Sequence, residues 1–224
     1  YGFGQYQDAR SAVVRANESK PRVSETVEKT EPLNDQKPRQ AREDKDLAKA
    51  IEKKIDSMPK NTKWAVSVRD LKSDRMANIR ADQTVDAGSL HTLFLLSAME
   101  KKQSADRWKY RMNVQTVQDC IMKMINASDG ECSDAIGRNA GWDAINPHNK
   151  GLGFNNTSIT SNTDQKTTAR DTSELLYRLQ NSQMLSDKAR RIVFDALYSQ
   201  QSKEGIPKGC GVSCLVANKT SEFR

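Results

Sequence analysis

Residues 66–96 read "VSVRDLKSDRMANIRADQTVDAGSLHTLFLL" and join two strand-like stretches to a strongly apolar segment. Val66 and Val68 alternate with polar neighbours, which predicts a half-buried strand, and residues 76–81 predict a weaker second strand after a turn. The segment that begins at Ser89 is apolar nearly all round, as is typical of a helix buried in a core. We therefore expect a β-hairpin that leads into a buried helix with a serine at its start.

The remainder of the chain has mainly helical patterns. Apolar side chains at three- and four-residue steps predict helices over residues 44–58, 114–130, 167–181 and 185–200. Residues 131–145 predict one or two short helices, broken at Gly141. A last strand is expected around residues 215–220, where it would pair back onto the sheet of the hairpin. This order of elements predicts an α+β fold in which helices flank an antiparallel sheet.

Residues 1–43 differ in composition from the rest of the chain. No aromatic residue and no cysteine occurs between Gln7 and Lys63, and three of the six prolines lie at positions 21, 32 and 38. This mixed-charge segment has too little apolar surface to offset the entropy of ordering it. We expect a flexible charged linker or stalk over residues 1–43 and a folded domain over residues 44–224.

The charge of the chain is basic but evenly distributed. The 36 Lys and Arg residues are interleaved with 29 Asp and Glu residues, for a net charge of +7. Since no basic stripe carries the aromatic side chains that stack on bases, we expect a solvated surface and no nucleic-acid partner. No segment is long enough to span a bilayer. The chain begins at Tyr1 rather than Met, which leaves room for a membrane anchor or signal upstream of residue 1.

The four cysteines form two close pairs, Cys120 with Cys132 and Cys210 with Cys214. Four cysteines can also bind zinc, but these spacings fit paired zinc knuckles poorly. Two short-range disulfides are favoured over zinc, and disulfides persist in oxidising, extracytoplasmic compartments. We expect no metal and no cofactor.

Three polar motifs follow the predicted elements. Ser89 begins the buried helix, Ser128–Gly130 (SDG) follows the next helix, and Lys219–Ser221 (KTS) lies in the expected last strand. Penicillin-recognising serine enzymes carry S-x-x-K, S-D-N and K-T-G in this order. Over residues 44–224 the chain resembles the class A β-lactamase-like serine hydrolases. The resemblance implies a β-lactamase/transpeptidase-like fold, here expected to lack the family's C-terminal strands and terminal helix.

The resemblance also implies roles for individual residues. Ser89 would be the nucleophile, Ser128 would relay a proton to the leaving nitrogen, and Lys219 and Thr220 would contact the substrate carboxylate. The backbone amides of Ser89 and Glu222 would form the oxyanion hole. The implied ligand is a β-lactam or a peptidoglycan-derived amide.

The motifs depart from the family pattern at three positions. Thr92 stands where the family has the lysine that accepts the nucleophile's proton, and loss of a general base costs about 10²–10⁴ in rate. Gly130 replaces an asparagine, and Ser221 replaces a glycine beside the substrate. The family's E-x-x-L-N element, whose glutamate is the deacylating carboxylate, is also absent. Residues 142–168 contain no glutamate, and their only acids are Asp143 and Asp164. An acyl adduct on Ser89 should therefore persist.

Three hypotheses for the function remain open. The chain is a working serine hydrolase in which Lys219 and Ser128 replace the missing base, an impaired relative of such enzymes, or a non-catalytic cell-wall or protein interaction module. His91 and His148 are the two histidines, so a Ser–His–Asp triad is not expected, and His91 is predicted to be packed in the core. We favour the impaired serine hydrolase, and leave open whether the chain turns over any substrate.

Overall fold

A computed structural model describes residues 41–59, 61–161, 164–211 and 214–221 of the chain. The predicted linker lies outside the described residues over positions 1–40 and remains a prediction there. Residues 42 and 43 already belong to the folded domain, because they form a short strand that pairs with the hairpin.

The described domain contains helices joined by short strands. In chain order the strands and α-helices are β1 (Arg42–Glu43), α1 (Lys45–Asp56), β2 (Val66–Asp70), β3 (Arg75–Ile79), β4 (Val85–Asp86), α2 (His91–Lys102), β5 (Arg111–Met112), β6 (Gln115–Thr116), α3 (Val117–Asn126), α4 (Gly130–Ala140), α5 (Trp142–Gly151), β7 (Lys166–Thr167), α6 (Ala169–Gln180), α7 (Asp187–Tyr198) and α8 (Ile206–Cys210). The expected α+β class and the predicted helices are confirmed.

The hairpin strands β2 and β3 belong to a three-stranded sheet in the order β1-β3-β2, in which β3 is the central strand. Strands β2 and β3 are antiparallel, with Val66 opposite Ile79 and Asp70 opposite Arg75, whereas β1 runs parallel to β3. Helix α1 packs against β3 and is capped by Asp44, whose carboxylate accepts a hydrogen bond from the Leu47 amide at 2.9 Å. The sequence therefore predicted the hairpin correctly, as a local feature.

Helix α2 is the centre of the core, as its uninterrupted apolar sequence predicts. A 3-10 turn over Gly88–Leu90 precedes it, and every residue from Thr92 to Met99 is buried. Its Phe94 ring meets Phe154 edge to face, with ring centroids 5.4 Å apart. Helices α4 and α5 pack against α2, so the start of α2 is held by a rigid scaffold.

Helices α3 and α4 are linked by the Cys120–Cys132 disulfide, with Cα atoms 4.8 Å apart. Cys210 and Cys214 form the second disulfide, so the predicted pairing is confirmed. The described residues contain no group of three or more side chains arranged to hold a metal ion. No helix in the described parts of the chain is long and apolar enough to cross a membrane.

Helices α4 and α5 meet at Gly141, which has a φ of +91° and breaks the helical path as expected. One turn earlier, Gly137 packs directly under the indole of Trp142, where a Cβ atom would overlap the ring. The glycine thus permits the close approach of the two helices that support α2.

The strand expected around residues 215–220 is absent, so this prediction is wrong. Residues 214–221 have no strand pairing, and the amide of Asn218 donates instead to the carbonyl of Leu197 at the end of α7. A strand needs a neighbouring strand as the hydrogen-bond partner of its amide and carbonyl groups. Here the segment lies beside the end of a helix instead.

Candidate active site

Ser89 lies in the 3-10 turn that leads into α2 and is half-buried. The chain reaches this turn from β4, which pairs with β7, and the Ala87 amide donates to the carbonyl of Gln165 at 2.8 Å. Because Ser89 precedes the first turn of α2, it lies near the positive end of the helix dipole, which favours developing negative charge. The fold therefore places the hydroxyl at a fixed point in front of a buried helix.

Thr92 does not offer a base to this hydroxyl. Its side chain is 2% exposed, and its own hydroxyl donates to the carbonyl oxygen of Ser89 at 2.8 Å. A threonine that bonds back onto its helix satisfies the backbone and carries no charge. Thr92 is therefore a buried helix residue one turn after Ser89, and its hydroxyl is bonded to the helix backbone.

Ser128 and Lys219 are in direct contact although they are 91 positions apart. The Lys219 ammonium donates to the Ser128 hydroxyl, and also to the Thr220 carbonyl at 3.1 Å. Ser128 is exposed and has a φ of +57°, a conformation that non-glycine residues rarely adopt and that recurs at functional sites. Burial lowers the pKa of Lys219 to about 8. This lysine can therefore exchange a proton near neutral pH, with Ser128 in reach.

The three motifs meet at one cleft of about 620 Å³. Ser89, Ser128 and Thr220 line it, together with residues 126–127 and 200–202. The lining is mainly polar, and Lys219 adds a cation through its contact with Ser128. A cleft of this kind suits a small polar ligand with a negative charge.

Ser221 reaches across to the start of α2. The Ser89 amide donates to the Ser221 hydroxyl oxygen at 2.9 Å, and that hydroxyl lies 3.3 Å from the carbonyl oxygen of Ala87. The side chain that replaces the family's glycine is therefore bonded to the backbone of the candidate nucleophile.

His91 contacts neighbouring elements on the other side of the turn. Its Nδ1 lies 2.6 Å from the Gly88 carbonyl oxygen, and its Nε2 lies 2.6 Å from the Ser133 hydroxyl on α4. Burial lowers the pKa of His91. A neutral ring fits these contacts, with Nδ1 donating to the carbonyl and the Ser133 hydroxyl donating to Nε2. His91 links α2 to α4.

A model of the β-lactamase enzyme family (Beta-lactamase2) matches residues 102–224, more than half of the chain. The chain belongs to the β-lactamase enzyme family. The matched range begins after Ser89 and therefore does not include the first motif. Comparison with curated proteins gives no match.

Solved structures share the β-lactamase-like fold. The structure of PBP-A aligns with a TM-score of 0.72 at 20% identity, covering 81% of this chain and 78% of that one. A PBP-A variant described as an acyl-enzyme complex with penicillin G gives 0.71 at 20% identity, with 81% and 79% covered. The TLA-3 extended-spectrum β-lactamase gives 0.67 at 18% identity, with 79% and 78% covered. At these identities the likeness concerns the fold.

One predicted site residue and two acids of this β-lactamase-family domain do not line the cleft. Gly130 is the exposed first residue of α4 and does not line the cleft, and Glu222 lies outside the described residues. Asp143 and Asp164 are both exposed, and Asp164 pairs with Lys166 at 2.9 Å. Neither acid lines the cleft.

The sequence did not single out the amide-rich wall of the cleft. Gln200 is buried and donates to the Ile125 carbonyl at 2.9 Å, and the Asn126 amide donates to the Ser199 carbonyl at 2.7 Å. Gln201 and Ser202 line the cleft next to them. The available signal was the polar run SQQS over residues 199–202, at the end of a predicted amphipathic helix.

Proposed function

We propose that this domain is a penicillin-recognising acyl-serine protein in which Ser89 is the nucleophile and in which turnover is strongly impaired. The observation that carries the proposal is the meeting of Ser89, Ser128 and Thr220 at one cleft, with Lys219 bonded to Ser128. The ligand class is a β-lactam or a peptidoglycan-derived amide with a carboxylate, which Lys219 and Thr220 would contact.

The proposed acylation uses Ser128 and Lys219 as the proton path. The Ser89 oxygen attacks the amide carbonyl carbon and forms an ester bond, while its proton passes through Ser128 to neutral Lys219. The carbon–nitrogen bond of the ligand breaks, and the leaving nitrogen takes the proton back through Ser128. This step needs Lys219 uncharged, which its pKa of about 8 allows for a minor fraction of molecules at pH 7.

Two features support slow turnover. Thr92 supplies no base beside Ser89, since its hydroxyl is bonded to the backbone. Asp143 and Asp164, the acids of the segment that in class A enzymes carries the deacylating carboxylate, are exposed and do not line the cleft. Since no acid among the described residues lines the cleft to activate water, the ester on Ser89 is expected to accumulate.

The test is labelling with a fluorescent penicillin, followed by gel electrophoresis and a nitrocefin hydrolysis assay. We expect slow labelling of the wild type, none in Ser89→Ala, and unchanged labelling in Ser104→Ala, a matched change at an exposed serine. Nitrocefin turnover of about 1 s⁻¹ or faster, the low end for ordinary enzymes, would contradict the impairment. Labelling that survives Ser89→Ala would contradict the nucleophile.

The bonded Thr92 hydroxyl also favours a second candidate, a cell-wall binding module that does no chemistry. Such a module should bind purified peptidoglycan with equal affinity in the wild type and in Ser89→Ala, and should not be labelled. Binding that disappears in modest salt would indicate charge attraction alone.

We also propose an extracytoplasmic location, because the two disulfides require an oxidising compartment to persist. Alkylation of intact cells producing the protein, followed by mass analysis, should find no free thiol. Four alkylated cysteines would contradict this location.

A further inference from the structure

The Ser221 hydroxyl uses both of its hydrogen-bonding functions on the backbone around Ser89. It accepts from the Ser89 amide at 2.9 Å and lies 3.3 Å from the Ala87 carbonyl oxygen, to which it donates. The two partners are more than 130 positions away in the sequence. This side chain therefore bridges the last described segment and the turn that begins α2.

The amide that Ser221 contacts has a specific task in acyl transfer. The backbone N–H of a nucleophile stabilises the oxyanion from a distance of about 2.7–3.1 Å, and it has to be free to point at that oxygen. The Ser221 oxygen lies within this distance. One N–H cannot make a full hydrogen bond to the Ser221 oxygen and to a ligand oxygen at the same time.

We propose that Ser221 occupies the oxyanion position of Ser89 and acts as a gate to acylation. A ligand carbonyl has to displace the hydroxyl before Ser89 can stabilise the negative charge. The inference rests on the proposed role of Ser89 as nucleophile, and it adds a cause of slow acylation that is independent of Thr92. In this proposal Ser221 is a positioning residue that controls one oxyanion donor.

The size of the effect follows from the bonds that must be exchanged. Displacement by rotation of the side chain breaks the bond to the Ser89 amide, and the released hydroxyl can find water. A net hydrogen bond of ordinary strength corresponds to an equilibrium factor between about twofold and tenfold. Removing the hydroxyl should accelerate acylation by this factor.

The experiment compares Ser221→Gly and Ser221→Ala with the wild type in two measurements. The first is the second-order rate constant of labelling by a fluorescent penicillin. The second is hydrogen exchange of the Ser89 amide, followed by NMR, which needs no chemistry at the site. Ser104→Gly is the matched control at an exposed serine, and thermal unfolding verifies that each variant is folded.

We expect both Ser221 variants to be labelled about twofold to tenfold faster and their Ser89 amide to exchange faster. Ser221→Thr keeps the acceptor oxygen and should keep the slow exchange of that amide. Ser104→Gly should change neither quantity. Ser221→Ala carries the test if the glycine variant does not fold.

The two proposals fail in different ways. Unchanged exchange of the Ser89 amide in both Ser221 variants would overturn the occupied oxyanion position, and so would labelling of the variants no faster than that of a labelled wild type. Faster exchange with no labelling of any variant would support the occupied position and overturn the proposed nucleophile.

Discussion

Lys219 should give acylation a pH dependence with a midpoint near 8. Burial lowers the pKa of this lysine to about 8, and the proposed proton path requires its neutral form. The neutral fraction is then about 1% at pH 6 and about 50% at pH 8, so the second-order rate constant of acylation, which reports the pKa of the ligand-free protein, should rise about fiftyfold over that interval. Above pH 9 it should change by less than about twofold.

The midpoint near pH 8 is specific, because burial lowers the pKa of Lys219. A lysine with its ordinary pKa of 10.5 would give a rate that is still rising at pH 9.5. Stopped-flow fluorescence with a labelled penicillin measures the rate constant at each pH. The control is Lys219→Arg, whose guanidinium stays charged throughout this range and should give a low, flat profile. A flat profile in the wild type, or the same rise in Lys219→Arg, would refute the proton path.

Three further changes test other parts of the structure. Thr92→Lys should raise the acylation rate constant by up to about 10²–10⁴ if the missing base is the main defect, and an unchanged rate would locate the defect elsewhere. Gly137→Ala should lower the free energy of unfolding in urea by about 1–3 kcal/mol, because the new methyl overlaps an indole. Gly130→Ala, where nothing lies within 4 Å, should change it by less than about 0.5 kcal/mol, and equal effects would contradict this packing. Replacing Cys120 and Cys132 by alanine should cost about 3 kcal/mol for their separation of 12 positions, and unchanged stability on chemical denaturation would contradict a closed disulfide.

Local patterns in the sequence predicted most of the secondary structure. The helix predicted over residues 167–181 is present as α6, and the Thr168 hydroxyl caps it by accepting from the Asp171 amide at 3.0 Å. The hairpin and the helix after Ser89 were predictable for the same reason, since alternation and unbroken apolar sequence report burial within a few residues of chain.

The failed prediction of the last strand has a different origin. Residues 215–220 have a composition that suits a strand, but strand pairing depends on which element lies beside the segment. Asn218 meets the end of α7 at Leu197 instead. A pattern of side chains carries no information about that neighbour, so the sequence alone misassigned this segment.

The order of the motifs was enough to identify the residues that meet at the cleft. It did not predict which of these residues contact one another. The Lys219–Ser128 contact and the bond between Ser221 and the Ser89 amide join residues 91 and 132 positions apart. The burial that lowers the pKa of Lys219 also follows from the fold. From the sequence, Ser221 was identified as a replacement for a glycine beside the substrate. Its hydrogen bond to the nucleophile's own amide follows only from the folded geometry.

The most direct test of the account is peptide mapping after exposure to penicillin G. The protein is incubated with excess penicillin G, freed of unbound ligand, and followed by intact mass and by mass spectrometry of its proteolytic peptides. The account predicts one adduct, on the peptide that contains Ser89, with little loss of the adduct on the time scale of minutes. An adduct on another peptide, or no adduct at any pH up to 9.5, would contradict it.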